Sequence, residues 1–245
     1  MMNIPLYSLR QEAWCDLKNV FRSLGFVIPV LAFPCAFYLF FGVTMGDPTT
    51  SSYLLINYII FGVIGPALFN FGVNVATERE NGLLTLKQLS PMPASQYLLG
   101  KTFTAIVFSS LIFVLLSCLA VVLAGVNMAF QQWMLLYFLA VFSTIPFCML
   151  GLCMGLSFSA KTAPALVNLV YLPISMLSGL WLPIALFPEV LQLLAWLLPN
   201  YHLSQLGLSI LSLHQGFELS WHVIGVMAFT LPCAWLATKK YNSLQ

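Results

Sequence analysis

The sequence has 245 residues, 60% of them hydrophobic and only 7% charged, where soluble domains carry about 25% charged residues. Nine basic and seven acidic side chains cannot coat a globule of 27.2 kDa, and a mean hydropathy of +0.94 excludes a soluble domain. A net charge of +2 with scattered basic residues excludes a nucleic-acid surface, so the expected solvent is lipid.

Residues 5 to 22 form the first predicted helix. At about 100° per residue, Leu6, Leu9, Ala13, Leu17, Val20 and Phe21 share one face with Trp14 at its edge, while Glu12, Asp16, Lys18 and Arg22 lie elsewhere. This pattern predicts an interfacial helix. Arg10 falls inside the apolar arc, from which its stem can snorkel to the headgroups. A plain anchor and a docking element are equally compatible with it. Glu12 and Asp16 interrupt what would be a basic leader, and the segment is expected to be retained, not cleaved.

A crossing helix needs about 20 mostly apolar residues, which places spans near 24–43, 53–75, 98–123, 133–158, 163–182 and 219–237. Gly125-Val126-Asn127, with Gln131 and Gln132, marks a tight hairpin between the third and fourth spans. With the N-terminus inside, all nine Lys and Arg fall on the cytoplasmic side and only Asp47, Glu189 and Glu218 lie outside. A seven-span alternative, with 190–213 as a crossing, would put Lys239 and Lys240 outside and carry Pro199-Asn200-Tyr201-His202 through the bilayer. Two short pieces joined at Pro199 instead read as an outer segment that dips into the membrane and returns. The predicted fold is all-α, a polytopic membrane protein with a single transmembrane domain over 1–245. It comprises an interfacial helix (1–23), spans 1 and 2 (24–75), a cytoplasmic loop (76–97), spans 3 to 5 (98–182), an outer re-entrant segment (183–218) and span 6 (219–238).

The residues offer little for catalysis. Six cysteines lack the close spacing of zinc or redox sites and read as buried small hydrophobes. His202, His214 and His222 are too dispersed along the chain to make a metal site. Gly100-Lys101-Thr102 imitates the end of a phosphate loop, but the earlier glycine it requires is Ser95, and the segment opens a membrane helix. No acid, base or histidine is expected within the span interiors, so neither a catalytic site nor an ion-coupled carrier is predicted. Energy for transport would then have to enter through the cytoplasmic loops.

The loop after the second span is the most informative. Ala76 to Pro93 carries Glu78, Arg79, Glu80 and Lys87. Thr77 and Glu80 fit a capping box that would start a short helix, ended by Pro91 and Pro93, and Leu83, Leu86 and Leu89 give it an apolar stripe. An ordinary solvated loop with orienting charges is the competing reading. From Glu78 to Lys101, the pattern Glu-Arg-Glu-x-Gly-Leu-Leu-x-Leu-x-x-Leu-x-Pro-x-Pro, followed by Tyr97-Leu98-Leu99-Gly100-Lys101, resembles the coupling region of type-2 ABC transporter permeases. The N-terminal helix agrees, as does the outer segment Ser178-Gly179-Leu180-Trp181-Leu182-Pro183, Phe187-Pro188-Glu189 and Leu198 to His202. The resemblance covers nearly the whole chain and implies a bacterial inner-membrane subunit with both termini cytoplasmic. It also implies a second permease chain, expected as a homodimer, and two ATPase subunits that carry ATP and Mg. This chain would bind no cofactor and would not itself be an enzyme. The coupling interface it implies is Glu78, Arg79, Glu80, Gly82, Leu83 and Leu86.

Asn57, Asn70 and Asn74 in the second span, and Asn168, Tyr171, Ser175 and Ser178 in the fifth, are candidates to line a pathway, although such groups more often hold helices together. Gly151 and Gly155 suggest close helix packing within the subunit, and Pro146 and Pro173 suggest kinks. The Phe-rich, uncharged spans suggest a lipid-like or amphipathic small-molecule cargo, with polysaccharide the alternative. A non-transporting membrane scaffold, or a lipid-modifying enzyme built on Glu189, His202, His214 and Glu218, are the readings from other classes.

Overall fold

The computed structural model describes residues 4–45, 47–89, 93–214 and 218–242, and all regular structure among them is helical. Helix α1 (Ile4–Arg22) is followed after Ser23 by α2 (Leu24–Val43), whose last part, Tyr38–Val43, widens into a π-helix. Asp47-Pro48 then starts α3 (Pro48–Glu80): the Asp47 carboxylate accepts the Thr50 N–H at 3.2 Å, and proline suits the first turn because its missing N–H would have no partner there. At 33 residues, α3 is about 50 Å long, well beyond the ~30 Å of a bilayer core, so its end reaches past the apolar layer.

A turn at Gly82 leads to α4 (Leu83–Leu89), followed by α5 (Ala94–Leu123). Gly125 (φ +65°) turns the chain as expected into α6 (Phe130–Phe142), which continues as α7 (Thr144–Gly155). The break at Ser143 has a cause in sequence: Pro146 cannot supply the N–H that the Phe142 carbonyl would accept. Helix α8 (Ala163–Leu177) stops short of the predicted residue 182, because Gly179 takes a left-handed conformation (φ +77°) that closes the helix end. Short α9 (Glu189–Ala195) and α10 (Pro199–Ser209) meet near Pro199 as expected, and α11 (Leu219–Asn242) ends the described chain.

Five of these stretches are long and apolar enough to cross a membrane: Leu24–Val43, Pro48–Glu80, Ser95–Leu123, Phe130–Gly155 and Leu219–Tyr241. The expected fifth span is the shorter apolar helix α8. Helix α3 is the axis. It contacts α2, α5, α7, α8 and α10, and 94% of its most apolar window is buried, against 6% for α11. A helix apolar on every side belongs in the middle of a bundle.

Gly151 and Gly155 let α7 lie directly on α3. A Cβ at Gly155 would stand 2.4 Å from the Phe71 carbonyl oxygen, so the two glycines serve packing within the chain. The cysteines differ from expectation: Cys148 is buried, but Cys15 and Cys118 are exposed, because they lie on outer faces of α1 and α5 that no other helix among the described residues covers.

Candidate functional site

The loop helix does not start where the capping-box pattern places it. Thr77 lies inside α3, where its hydroxyl bonds to the Val73 carbonyl at 2.9 Å, and Glu80 is the last helical residue. The chain reverses at Asn81-Gly82, with Gly82 left-handed (φ +74°), and α4 begins at Leu83. Of the residues expected to end α4, Pro91 lies outside the described residues, while Pro93 caps the start of α5.

Beneath this loop lies a buried knot of charge. Lys101, fully buried in α5, places its Nζ 2.9 Å from Asp16 Oδ1 of α1 and 2.9 Å from Glu78 Oε1 of α3. Asn70 donates to Asp16 Oδ2 and to the Lys101 carbonyl, each at 3.1 Å, and accepts from Asn74. The Tyr97 hydroxyl donates to Glu78 Oε2 at 2.8 Å, and its ring lies under Lys87, with the Nζ 4.5 Å from the centroid. Lys87 of α4 pairs with Glu12 of α1 and stands 3.6 Å from Glu78. Burial pushes the Asp16 carboxyl up, but the Lys101 ammonium, with hydrogen bonds from Thr104, Lys101 and Asn70, outweighs it and holds the group below the usual carboxylate value. Four helices are tied together here, with Lys101 at the centre.

The backbone explains how one face of α3 reaches this knot at three levels. In a regular α-helix, residues four apart drift by about 40°, so Glu78 would stand about 80° from Asn70. The π-segment Asn70–Asn74 turns less per residue and takes up that drift, which keeps Asn70, Asn74 and Glu78 facing α1 and α5.

The predicted coupling residues therefore divide. Glu78 turns inward, and Arg79 donates to the Leu156 carbonyl and, at 2.7 Å, to the Phe158 carbonyl, closing the C-terminal end of α7. Glu80, Leu83 and Leu86 are exposed and Gly82 makes the turn. Asp16, Tyr97 and Lys101 are not among the residues named for the coupling interface, although Tyr97 and Lys101 stand in the Glu78–Lys101 pattern that carries the resemblance. Lys101 is legible as the end of that pattern and as a basic residue three positions inside an apolar run, and Asp16 as an acid within α1, but neither signal pairs the two.

Among the pathway candidates Asn57, Asn70 and Tyr171 bond to other helices, while Asn74 and Ser178 bond within their own. Ser204 of α10 donates to Asn57, Tyr171 donates to the Phe61 carbonyl at 3.1 Å and stacks on the Phe61 ring, and Ser178 donates to the Ile174 carbonyl. Ser175 is buried. Asn168 differs. It is exposed and, with Phe26, Phe33, Phe69 and Tyr171, lines a cavity of about 360 Å³ between α2, α3 and α8. Glu189, His214 and Glu218 are exposed and do not join His202, which instead meets His222 with the two Nδ1 atoms 3.0 Å apart. Among the described residues no group of three or more His, Cys, Asp or Glu could hold a metal ion.

Residues 8–212 match the family model described as ABC-2 type transporter, a region that runs from α1 through the knot and the loop helix to α10. The chain belongs to the ABC-2 type transporter family. It is also 25% identical over 199 residues to the protein named "Putative transport permease YvfS" of Bacillus subtilis (strain 168), an alignment covering 79% of this chain and 81% of that one. An ABC-2 chain of this kind is the multi-pass permease subunit of an ABC transporter; the family lacks the nucleotide-binding domain and works with a separate ABC ATPase.

Proposed function

We propose that this chain is one of two permease subunits of an exporter, with both termini in the cytoplasm and six crossings, α8 serving as the fifth, and that α4 seats in a groove of the ATPase. Two ATPase copies would carry the ATP and Mg. The observation that carries this reading is the surface of α4, on which Leu83, Leu86 and Leu89 are 44, 63 and 80% exposed beside the exposed Glu80. Three leucines on the outer side of a charged loop match a protein groove better than water. Closure of the ATPases would push on α4, and the push would enter α3 through the Gly82 turn and Glu78. From there Lys101 would carry it to α1 and α5.

All nine basic residues fall on one side in this arrangement, which supports the orientation, and the paired short helices α9 and α10 support an outer re-entrant segment. The cavity at Asn168, lined mainly by apolar and aromatic side chains, supports a lipid-like or amphipathic small-molecule cargo.

Glu80→Arg tests the docking. The expected result is normal insertion and folding, with ATPase co-purification weakened and export uncoupled from ATP hydrolysis. Unchanged export and ATPase recovery would remove α4 as the contact.

A further inference from the structure

Helix α1 crosses α5 at Gly100, where a Cβ would stand 3.0 Å from Glu12 Cγ and 3.2 Å from the Ala13 nitrogen. That near-backbone contact divides the junction into two faces. Glu12 and Asp16 turn to one side and are engaged by Lys87 and Lys101. On the other side a groove of about 990 Å³ opens between the helices, walled by Leu9, Trp14, Leu99, Phe103 and Ile106, with Arg10 among its polar lining.

The groove is built for hydrocarbon at one end and an anion at the other. Trp14, Leu99 and Phe103 are 62, 54 and 48% exposed, and no part of the described chain covers them. Phe103 and Ile106 lie within the apolar stretch Ser95–Leu123, and the seven-residue rise from Leu99 to Ile106 is about 10 Å, enough for the upper part of an acyl chain. Arg10 is the one charged residue of the lining, and no carboxylate among the described residues pairs with it. Thr102 and Gln11 add hydrogen-bonding groups beside it. A guanidinium binds a phosphate in bidentate fashion, and basic pockets at the cytoplasmic ends of membrane helices suit anionic headgroups. The charges that α1 leaves exposed, Arg10, Lys18 and Arg22, are all positive, so an α1 from a second copy would meet like charge here.

We infer that the groove between α1 and α5 binds an anionic phospholipid of the cytoplasmic leaflet, its phosphate on Arg10 and one acyl chain along Leu99, Phe103 and Ile106. The site accounts for the position of Arg10 within the apolar arc of α1. It rests on the cytoplasmic, interfacial reading of α1 given above, but not on the docking of α4.

The full chain, reconstituted without ATPase in phosphatidylcholine vesicles, is probed with small equal fractions of phosphatidylglycerol or phosphatidylcholine brominated in the acyl chains. The difference between wild type and Trp14→Phe isolates the fluorescence of Trp14. The expected result is that brominated phosphatidylglycerol quenches Trp14 at about fivefold lower mole fraction than brominated phosphatidylcholine, the factor one basic residue confers at a lipid surface. Arg10→Gln should abolish that preference and Lys18→Gln should keep it. Equal quenching by the two lipids overturns the inference, as does a preference that survives Arg10→Gln. Equal loss in both variants would mean a diffuse basic surface and also overturns it. Absent preference together with a disulfide between copies carrying Leu99→Cys would assign the groove to a second copy. No ATPase enters the measurement, so failure of the coupling reading leaves its outcome unchanged.

Discussion

At the end of the bundle that carries α4, the buried polar contacts are ionic: Lys101 meets Asp16 and Glu78 at 2.9 Å, and Lys87 meets Glu12. At the end that carries α10 they are neutral. Ser204 bonds to Asn57, and His202 meets His222. The Trp196 carbonyl only accepts, so His202 Nε2, 2.9 Å away, carries its proton, and Nδ1 is left to accept from the His222 Nδ1–H. The difference has an energetic meaning. Removing one member of a buried ionic group strands the others at a cost of about 3–5 kcal/mol, whereas a neutral contact between membrane helices is worth about 0.6 kcal/mol. The α4 end is therefore held as one block able to pass on a push, and the α10 end is held by contacts weak enough to be exchanged.

The largest test of this contrast is Lys101→Met. It leaves Asp16 buried without a counter-charge and Glu78 with only Lys87, 3.6 Å away, and about 3–5 kcal/mol of stability should be lost. Thermal unfolding in detergent would measure it, and adding Asp16→Leu should restore part of the loss because fewer buried charges are stranded. A drop within 1 kcal/mol of wild type would mean that the knot is hydrated and does not hold the block together. Acid offers a milder way to loosen the same contact. Asp16 is held below its ordinary value of about 3.9, so its contribution is complete above that pH and is lost as the pH falls through it toward the lower folded value. The melting temperature of wild type should therefore fall more steeply below pH 4 than that of Asp16→Asn. Parallel curves would show that Asp16 is not the responsible group.

At the other end, Gly225→Ala should cost about 1–3 kcal/mol. Its Cβ would stand 2.3 Å from His202 Nε2, and the buried imidazole can make room only by giving up the Trp196 carbonyl or His222. If the effect comes from the histidine pair, Gly225→Ala should cost little when added to His202→Ala. Full additivity would place the strain elsewhere.

The crossing helices were legible because apolar runs of bilayer length and their punctuation are local signals: Asp47-Pro48, Gly125, Pro146 and Pro199 each act within a few residues of themselves. The end of the fifth apolar helix is not legible in the sequence because apolarity continues past Gly179, where the backbone turns. Thr77 and Glu80 had the spacing of a capping box, but nothing local records that α3 has not yet ended there. The knot was hidden for a different reason. Asp16 and Lys101 are 85 positions apart, and Glu78 and Lys101 are 23 apart, so each looked like a solvated or orienting charge until the crossing at Gly100 brought α1 onto α5. The histidine pair, 20 positions apart on separate helices, is the same case in neutral form.

The smallest expected effect is the sharpest test of the comparison. Ser204→Ala removes the donor to Asn57, and if the α10 end is held by exchangeable neutral contacts, the change should cost only about 0.6 kcal/mol. Its consequence should appear in motion: a cysteine placed on α10 should label faster in Ser204→Ala, while one placed on α1 should not. A loss as large as that of Lys101→Met would mean that Asn57, wholly buried on the central helix α3, has no other partner to turn to. The two ends would then be equally rigid, and any outward opening would have to occur between subunits instead of within one.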